Sequence, residues 1–442
     1  MTQFKLIYNK RFGPLFLTQS LGALNDNIFK NSLVIFIAFS LTGAEQNSSI
    51  MVIIAAGVFI LPFFLFSAIA GQIADKYEKS QLIRGIKIAE IVIMMLATVA
   101  YLLVSLPLLM FVLFLMGTQS TLFGPLKYGI LPQHLEPEEL TGGNGMIQMG
   151  TYLAILFGTI LGGVLIAIKP GGNWYVSCVV ITVAICGWLA SRHIPVARAA
   201  DPSLKVSVNI LRKTWDIIAH ARKNMKIFWA IIGISWFWFY GATFLSLVPS
   251  YTKQILLGNE HVTTILLTAF SVGIGTGSLM CEKISARKIE PGLSVLGAIG
   301  LSVFATDLYF IDLSYEVLIA PGKINGAFTF MNSFDNWRIL FDLTLIGFFG
   351  GLYIVPLYAY VQNLSAEKIR SRIIAANNIL NALFMVLSAL LTIGLISIGF
   401  SIPQIFLVMA IMNLLIISLI CRQVPEIISR FFNLVRRLAG IY

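Results

Sequence analysis

Of 442 residues, 57% are hydrophobic and only 12% are charged, about half the charged share of a soluble globular domain. With a mean hydropathy of +0.86, the chain is excluded from the soluble classes and predicted to be an all-α, multi-pass membrane protein. Its formal net charge of +11 then belongs against anionic lipid headgroups, and no nucleic acid is expected among its partners.

Apolar runs long enough to cross a bilayer, about 20 residues, stand near 12–41, 50–74, 81–105, 107–130, 144–168, 174–193, 226–252, 261–281, 291–312, 338–361, 371–399 and 402–421, which predicts twelve transmembrane helices. If both termini are cytoplasmic, 26 of the 31 Lys and Arg residues fall in inner loops, tails and adjoining helix ends. Lys169, Lys253, Lys323 and Arg338 fall outside, and Lys30 lies within span 1. That asymmetry fixes the expected orientation. No cleavable signal peptide is expected, because Lys5, Lys10 and Arg11 run directly into a span too long for a signal core.

Span 1 holds the least expected stretch, QSLGALNDNIFKN at 19–31. A charge at bilayer depth costs about 2.5–3.5 kcal/mol on insertion scales, so Asp26 and Lys30 need a reason to be there. Their i,i+4 spacing puts both on one helix face with Gln19, Gly22 and Ala23, where each can neutralise the other. After span 2 comes GQIADKYEK (71–79), with Asp75 at a helix end. In span 4, Gly124 and Pro125 precede Lys127 and are expected to loosen the helix beside a basic group. The other reading of Lys127 is a lysine snorkelling to the interface.

Span 5 carries a polar stripe, Asn144, Gln148 and Thr151, followed by Gly158-x-x-x-Gly162. The most polar break, 194–225, divides the chain into a bundle over 1–193 and a second over 226–442. Within it Val208, Leu211, Trp215 and Ile218 share one helical face, while Arg212, Lys213, Arg222 and Lys223 lie elsewhere. That pattern suits either an amphipathic helix on the membrane surface or a solvated linker. Span 7 presents Trp236, Trp238 and Tyr240, read first as lipid-facing bulk. Span 8 carries Gly273-x-x-x-Gly277, a close-packing motif, and ends near Glu282. Span 11 repeats the amide stripe with Asn377, Asn381 and Ser388, whereas Asn378 points about 100° away and is assigned to packing. Cys178, Cys186, Cys281 and Cys421 sit in or beside apolar segments without metal-ligand spacing, so neither metal nor cofactor is expected.

The halves read as parallel repeats. Gly71 to Lys76 after span 2 matches Gly277 to Lys283 after span 8. Gly124-Pro125 in span 4 matches Val355-Pro356 in span 10, and Asn144-x-x-x-Gln148 matches Asn377-x-x-x-Asn381. Three correspondences in one order are stronger than any alone.

Twelve spans, two related halves and this loop resemble the major facilitator superfamily, whose signature Gly-x-x-x-Asp-(Arg/Lys)-x-Gly-(Arg/Lys) is matched by Gly71, Asp75, Lys76 and Lys79. Glu78 replaces the second glycine. ALNDN (23–27), FGPLKYGILP (123–132), GGNGMIQ (142–148), ISWFWFYGATF (234–244), FSVGIGTGSLMCE (270–282) and RIIAANNILNALF (372–384) together resemble the lysophospholipid transporter family. They are similar in particular to the transporter-like part of bacterial proteins fused to a 2-acylglycerophosphoethanolamine acyltransferase. The resemblance implies movement of lysophosphatidylethanolamine-like lipids from the outer to the inner leaflet of the bacterial inner membrane.

Catalysis is not implied. The His-x-x-x-x-Asp pattern of such acyltransferases is missing, because Glu139, Arg198, Met225 and Leu266 stand five residues after His134, His193, His220 and His261. The segment after span 12 is short for a catalytic domain, so an acyltransferase is expected, if at all, as a separate partner.

Under that resemblance Asp26 would meet the headgroup amine, and Lys30 and Lys127 its phosphate. Asn27, Asn144, Gln148, Asn377 and Asn381 would wall a polar cavity, and the span 7 aromatics would offer a slot for an acyl chain. Gly71, Asp75, Lys76 and Glu282 would act as a conformational latch. A proton-coupled transporter of a small metabolite or drug, and a membrane scaffold for an acyltransferase, remain the alternative readings.

Overall fold

A computed structural model of the chain describes residues 3–40, 45–315, 326–332 and 334–440; Lys323, assigned to the outer side, lies outside them. The helices are α1 (Gly13–Ser40), α2 (Glu45–Lys76), α3 (Lys79–Leu102), α4 (Leu106–His134), α5 (Pro137–Ala167), α6 (Gly172–Ser191), α7 (Ile210–Arg222), α8 (Met225–Gln254), α9 (Glu260–Ile284), α10 (Leu293–Tyr315), α11 (Ala327–Asn332), α12 (Phe334–Leu364), α13 (Arg370–Ser397), α14 (Ile402–Gln423) and α15 (Pro425–Leu438). Eleven of them are long and apolar enough to cross a membrane. The twelfth span is α1, whose length of 28 residues suffices but whose polar stretch dilutes its hydropathy. The twelve expected spans are all present, as α1–α6, α8–α10 and α12–α14.

Apart from the six-residue α11, two helices among the described residues do not span. In α7 the Asn209 side chain caps the first turn by accepting from the Arg212 amide at 3.1 Å, so the linker is helical over 210–222. The other is α15, unexpected from sequence. Ile427 and Leu434 on its inner face are buried, while Phe432 and Leu438 are exposed. Glu426 ties it down by accepting from Lys226 at 2.6 Å, from Arg430 at 2.8 Å and from Tyr360 at 3.2 Å.

By contacts the chain falls into two compact units. The first comprises Met1–Glu136, Gly150–Lys223 and Gln362–Ala382, and the second Pro137–Met149, Asn224–Val361 and Leu383–Tyr442. The opening turns of α5 therefore belong to the second unit and those of α13 to the first. This exchange follows the repeat, since α5 and α13 are its corresponding helices.

In the first unit α2 packs on α4, and α6 on both α1 and α3. One end is filled by an aromatic core in which Phe29 and Phe36 meet Tyr101 edge-on, with Tyr101 and Ser32 hydroxyls 2.7 Å apart. Gly158 and Gly162 of α5 lie directly on α1 at Leu24, Asn27 and Ile28.

The second unit uses the same device twice. Gly273 and Gly277 of α9 seat against the backbone of Thr344 and Phe348, and Gly347 and Gly351 of α12 seat against Phe270 and Ile274 in return. Such close approach leaves no room for a Cβ and lets α9 and α12 pack backbone to backbone. Cys281 follows this seam, buried within 3.5 Å of the Gly351 carbonyl. The expectation of lipid-facing aromatics on span 7 fails for Trp236 and Tyr240, which are 3% and 2% exposed. Burial is stabilised by polar satisfaction: the Trp236 indole donates to Asn413 at 2.9 Å and the Tyr240 hydroxyl to the Leu301 carbonyl at 3.1 Å.

Two outcomes follow from this packing. Gly277→Leu is expected to overpack the α9–α12 seam, a change of about 1–3 kcal/mol or more, lowering the melting temperature of the purified protein. Gly394→Ala, where a Cβ meets open space inside α13, should not lower it and should raise it slightly in the same thermal scan, since Ala is favoured over Gly in a helix interior by about 0.5–1 kcal/mol. The hydrogen bond from Lys226, with those from Arg430, holds Glu426 below its ordinary value of 4.5 against the effect of burial. A lowered carboxylate stabilises above the unfolded value and loses that contribution as pH falls through the folded one. Proteolysis of α15 should therefore accelerate below about pH 4.5 and do so less in Glu426→Gln, which is already weakened.

Candidate functional site

The spacing of Asp26 and Lys30 predicts an ion pair, and the structure does not form it. Asp26 turns instead to α4, accepting from Ser120 Oγ at 2.6 Å and from Gln119 Nε2 at 3.2 Å. Lys30 lies over the Phe59 ring of α2, its Nζ 5.2 Å from the centroid. A helical face admits both directions because side chains at i and i+4 diverge when each finds a partner on a different neighbouring helix. Asp26 and Lys30 are both half-buried.

Beside them sits a pair that the same criterion finds, applied to span 3. Lys87 and Glu90 of α3 are each 1% exposed and form an ion pair at 2.6 Å. Asn25 of α1 donates to the other Glu90 oxygen at 2.9 Å, and the Lys87 ammonium lies 4.9 Å from the Phe123 ring centroid. Gly22 makes this possible: a Cβ there would strike the Lys87 ammonium. Both residues are charges in an apolar run, as Asp26 and Lys30 are. They are the functional candidates missing from the sequence reading, together with Gln119 and Ser120.

Lys127 completes the group. Helix α4 runs unbroken through Pro125 and Pro132, so the expected loosening does not end the helix. Lys127 is half-buried and its ammonium lies 4.7 Å from the Tyr128 ring centroid. It interacts electrostatically with Asp26 and Lys87. Among the described residues neither Lys30 nor Lys127 belongs to an ion pair. The seam thus gathers two carboxylates and three ammonium groups, of which only Lys87 and Glu90 are paired with each other.

The remaining candidates are distributed. Asn27 donates to the Ala23 carbonyl at 2.8 Å and its Cβ faces Gly158, a packing position. Asn377 is 1% exposed with both amide atoms lacking a hydrogen-bond partner among the described residues. Asn381 is also buried, and Asn378 packs against Gly124 as expected. Asn144 and Gln148 belong to the second unit, where Asn144 donates to the Leu140 carbonyl at 2.9 Å.

The signature loop is built around Asp75, fully buried at the end of α2. Its carboxylate accepts from the backbone N–H of Ser371 at 3.0 Å and of Arg372 at 3.3 Å, and from Arg372 Nε at 2.9 Å. It sits where the first turn of α13 leaves N–H groups unpaired and the helix dipole favours an anion. Gly71 lets α2 approach, since a Cβ would press on Ala375 and Arg372. Lys76 takes no part, lying over Tyr77. Glu282 pairs locally with Arg287 at 3.5 Å.

Glu78, the departure from the signature, caps α3 through the Ser80 and Gln81 amides and accepts from the Ala197 amide at 2.7 Å. Burial pushes its carboxyl up, but these backbone hydrogen bonds outweigh it and hold the group below the usual range. Where glycine would give a bare turn, glutamate anchors the linker.

Removing one partner of a buried pair leaves an uncompensated charge and costs about 3–5 kcal/mol. Lys87→Met should therefore cut the yield of folded protein sharply, and Lys87→Met with Glu90→Leu should restore much of it, measured by monodisperse recovery in detergent.

The chain matches the family model described as Major Facilitator Superfamily over residues 15–321. It is 24% identical over 381 residues to the lysophospholipid transporter LplT of Escherichia coli, covering 82% of this chain and 83% of that protein. The same figures hold for LplT of Shigella boydii serotype 18. Among solved structures it is similar to the human organic anion transporter MFSD10, with a TM-score of 0.67, 12% identity and coverage of 93% of this chain and 99% of that one. The Escherichia coli fucose:proton symporter FucP superposes with a TM-score of 0.66 at 12% identity, over 93% and 98% of the two chains. With twelve spans in two repeats and a family match over most of its length, the chain belongs to the Major Facilitator Superfamily.

Proposed function

We propose that this protein transports lysophospholipids, moving lysophosphatidylethanolamine-like lipids from the outer to the inner leaflet of a bacterial inner membrane. The observation that carries the reading is the polar seam of α1, α3 and α4. Among the described residues it leaves Asp26 with hydroxyl and amide donors and in no ion pair, and it leaves Lys30 and Lys127 within reach of the Asp26 charge but likewise in no ion pair. A zwitterionic headgroup supplies what each lacks: an ammonium for Asp26, and a phosphate for Lys30 and Lys127. The similarity to LplT supports the same substrate class.

Glu90 and Lys87 serve here as positioning residues. Neutralising each other, they fix α3 against Asn25 and hold the charge beside Asp26 constant. Asn377, whose amide has no hydrogen-bond partner among the described residues, is assigned to the substrate's glycerol hydroxyl or phosphate oxygens, alongside Asn381. The two six-helix bundles, 1–193 and 226–442, alternate in exposing this seam, and both termini face the cytoplasm as the basic residues require. Asp75, seated on the first turn of α13, acts as the latch of that movement, with Gly71 permitting the contact. Re-acylation falls to a separate acyltransferase.

Uptake of labelled lysophosphatidylethanolamine into proteoliposomes containing only this chain tests the reading. Asp26→Asn and Lys127→Ala should each lower uptake at least about tenfold, roughly 1.4 kcal/mol of lost binding, at unchanged folded yield. Asp75→Asn should slow uptake with substrate affinity preserved, as a latch predicts. Uptake by the folded wild-type chain no greater than in empty vesicles overturns the proposal and favours the scaffold.

A further inference from the structure

We infer that the cleft between the end of α2, the linker around α7 and the first turns of α13 is a second lipid site, which binds the phosphate of an anionic phospholipid headgroup. Lys205, Lys213, His220 and Arg372 line it together with one carboxylate, Asp216, while Asp75 and Asp201 also bond Arg372. Ile217, Ile369 and Ile373 give it an apolar wall. A basic rim over an apolar wall matches an amphiphile, in which a phosphate is joined to acyl chains, better than a free anion. The cleft is separate from the polar seam, and nothing in the proposed transport cycle uses Lys205, Lys213 or His220.

Its walls are held in place. Gln72 of α2 accepts from the Ser207 amide at 3.0 Å and donates to the Ser207 carbonyl at 3.4 Å, pinning the linker across the cleft. The Asp201 amide donates to the Asp75 carbonyl at 2.8 Å, pinning it again. On the outer side of the same segment Val208 is 80% and Trp215 70% exposed. An amphipathic helix with exposed Trp beside Lys and Arg lies at a membrane surface, which sets the mouth of the cleft at headgroup level.

The basic groups are available to a ligand. Lys205 is exposed and makes no ion pair among the described residues. Lys213 pairs with Asp216 at 3.1 Å, but the two side chains are 32% and 46% exposed, so water already screens the pair. Arg372 keeps Nε on Asp75, while its Nη2 reaches Asp201 only at 3.4 Å and donates to the Lys368 carbonyl at 2.6 Å. A phosphate in the cleft competes for Nη2 with Asp201 and leaves the Asp75 contact intact, so the site borders the proposed latch. Burial, then Lys223 and Arg372, push His220 below its ordinary value of 6.5. A bound phosphate opposes that shift, so binding tightens as pH falls through the histidine range.

The test uses the purified full chain in a non-ionic detergent, titrated with radiolabelled phosphatidylglycerol. One saturable site is expected, tightening from about pH 7.5 to about pH 6. The double variant Lys205→Glu with Lys213→Glu should weaken it about tenfold, and Asp216→Asn should strengthen it. These surface side chains carry no packing role, and unchanged thermal stability verifies folding. Equal affinity in the double variant and wild type overturns the site. Displacement by inorganic phosphate at equal concentration overturns the lipid as occupant, leaving a free anion. Because binding is read without transport, this outcome is independent of whether lysophospholipid is moved.

Discussion

A carboxylate at bilayer depth is tolerable only beside donors, and the first unit is arranged around that constraint. Glu90 has a lysine and an amide; Asp26 has a hydroxyl and an amide. The two sets differ in how far they neutralise the charge. Glu90 is neutralised and sealed at 1% exposure, which fits a fixed element. Asp26 is solvated by neutral dipoles and left half-open, which lowers the cost of its charge without cancelling it. A site that must bind and release a cationic group needs the second arrangement. Full neutralisation would leave nothing to recognise, and no donors at all would leave a charge that could not be inserted.

The second unit meets the bilayer differently. One of its interfaces, α9 against α12, is built from four glycines set backbone to backbone, and one of its buried polar groups joins Trp236, Asn413, Ser302 and the Ala298 carbonyl. Its span charges include Asp307 of α10, which pairs with Arg338 of α12, and Asp342, buried one turn further along α12. Repeats that share a helix count and a Pro-bearing fourth helix have diverged in what they bury.

The spans were legible because a bilayer demands long apolar runs, and every one of them is present, although α5 begins at Pro137, seven residues before its expected start. What sequence spacing could not resolve was direction. Residues 26 and 30 share a face, but whether two side chains on one face meet depends on what the neighbouring helices offer, and Ser120 and Phe59 are distant in sequence. Lys87 and Glu90 are legible by the rule used for Asp26 and Lys30, since they too are charges within an apolar run. The aromatic run of α8 misled for a related reason: bulk and hydrophobicity do not distinguish lipid from core, whereas Asn413, which accepts from Trp236, lies 177 residues away. Helix α15 escaped because its apolar face is only a few residues wide and too short for a span.

The signature loop shows how an altered motif keeps its purpose. Two of the three hydrogen bonds to Asp75 come from backbone N–H groups of α13, and these survive any substitution of Arg372 that preserves the helix. The arginine adds charge and also reaches Asp201, joining the linker to the same point. Glu78 does the equivalent on the other side, drawing the Ala197 amide onto the start of α3. The glycine of the signature would give that turn freedom; the glutamate exchanges freedom for a tether. With the linker fastened at Ala197, Asp201 and Ser207, a displacement of α13 from Asp75 must also strain or release the linker. The two are thereby coupled through covalent chain and hydrogen bonds rather than through a single salt bridge.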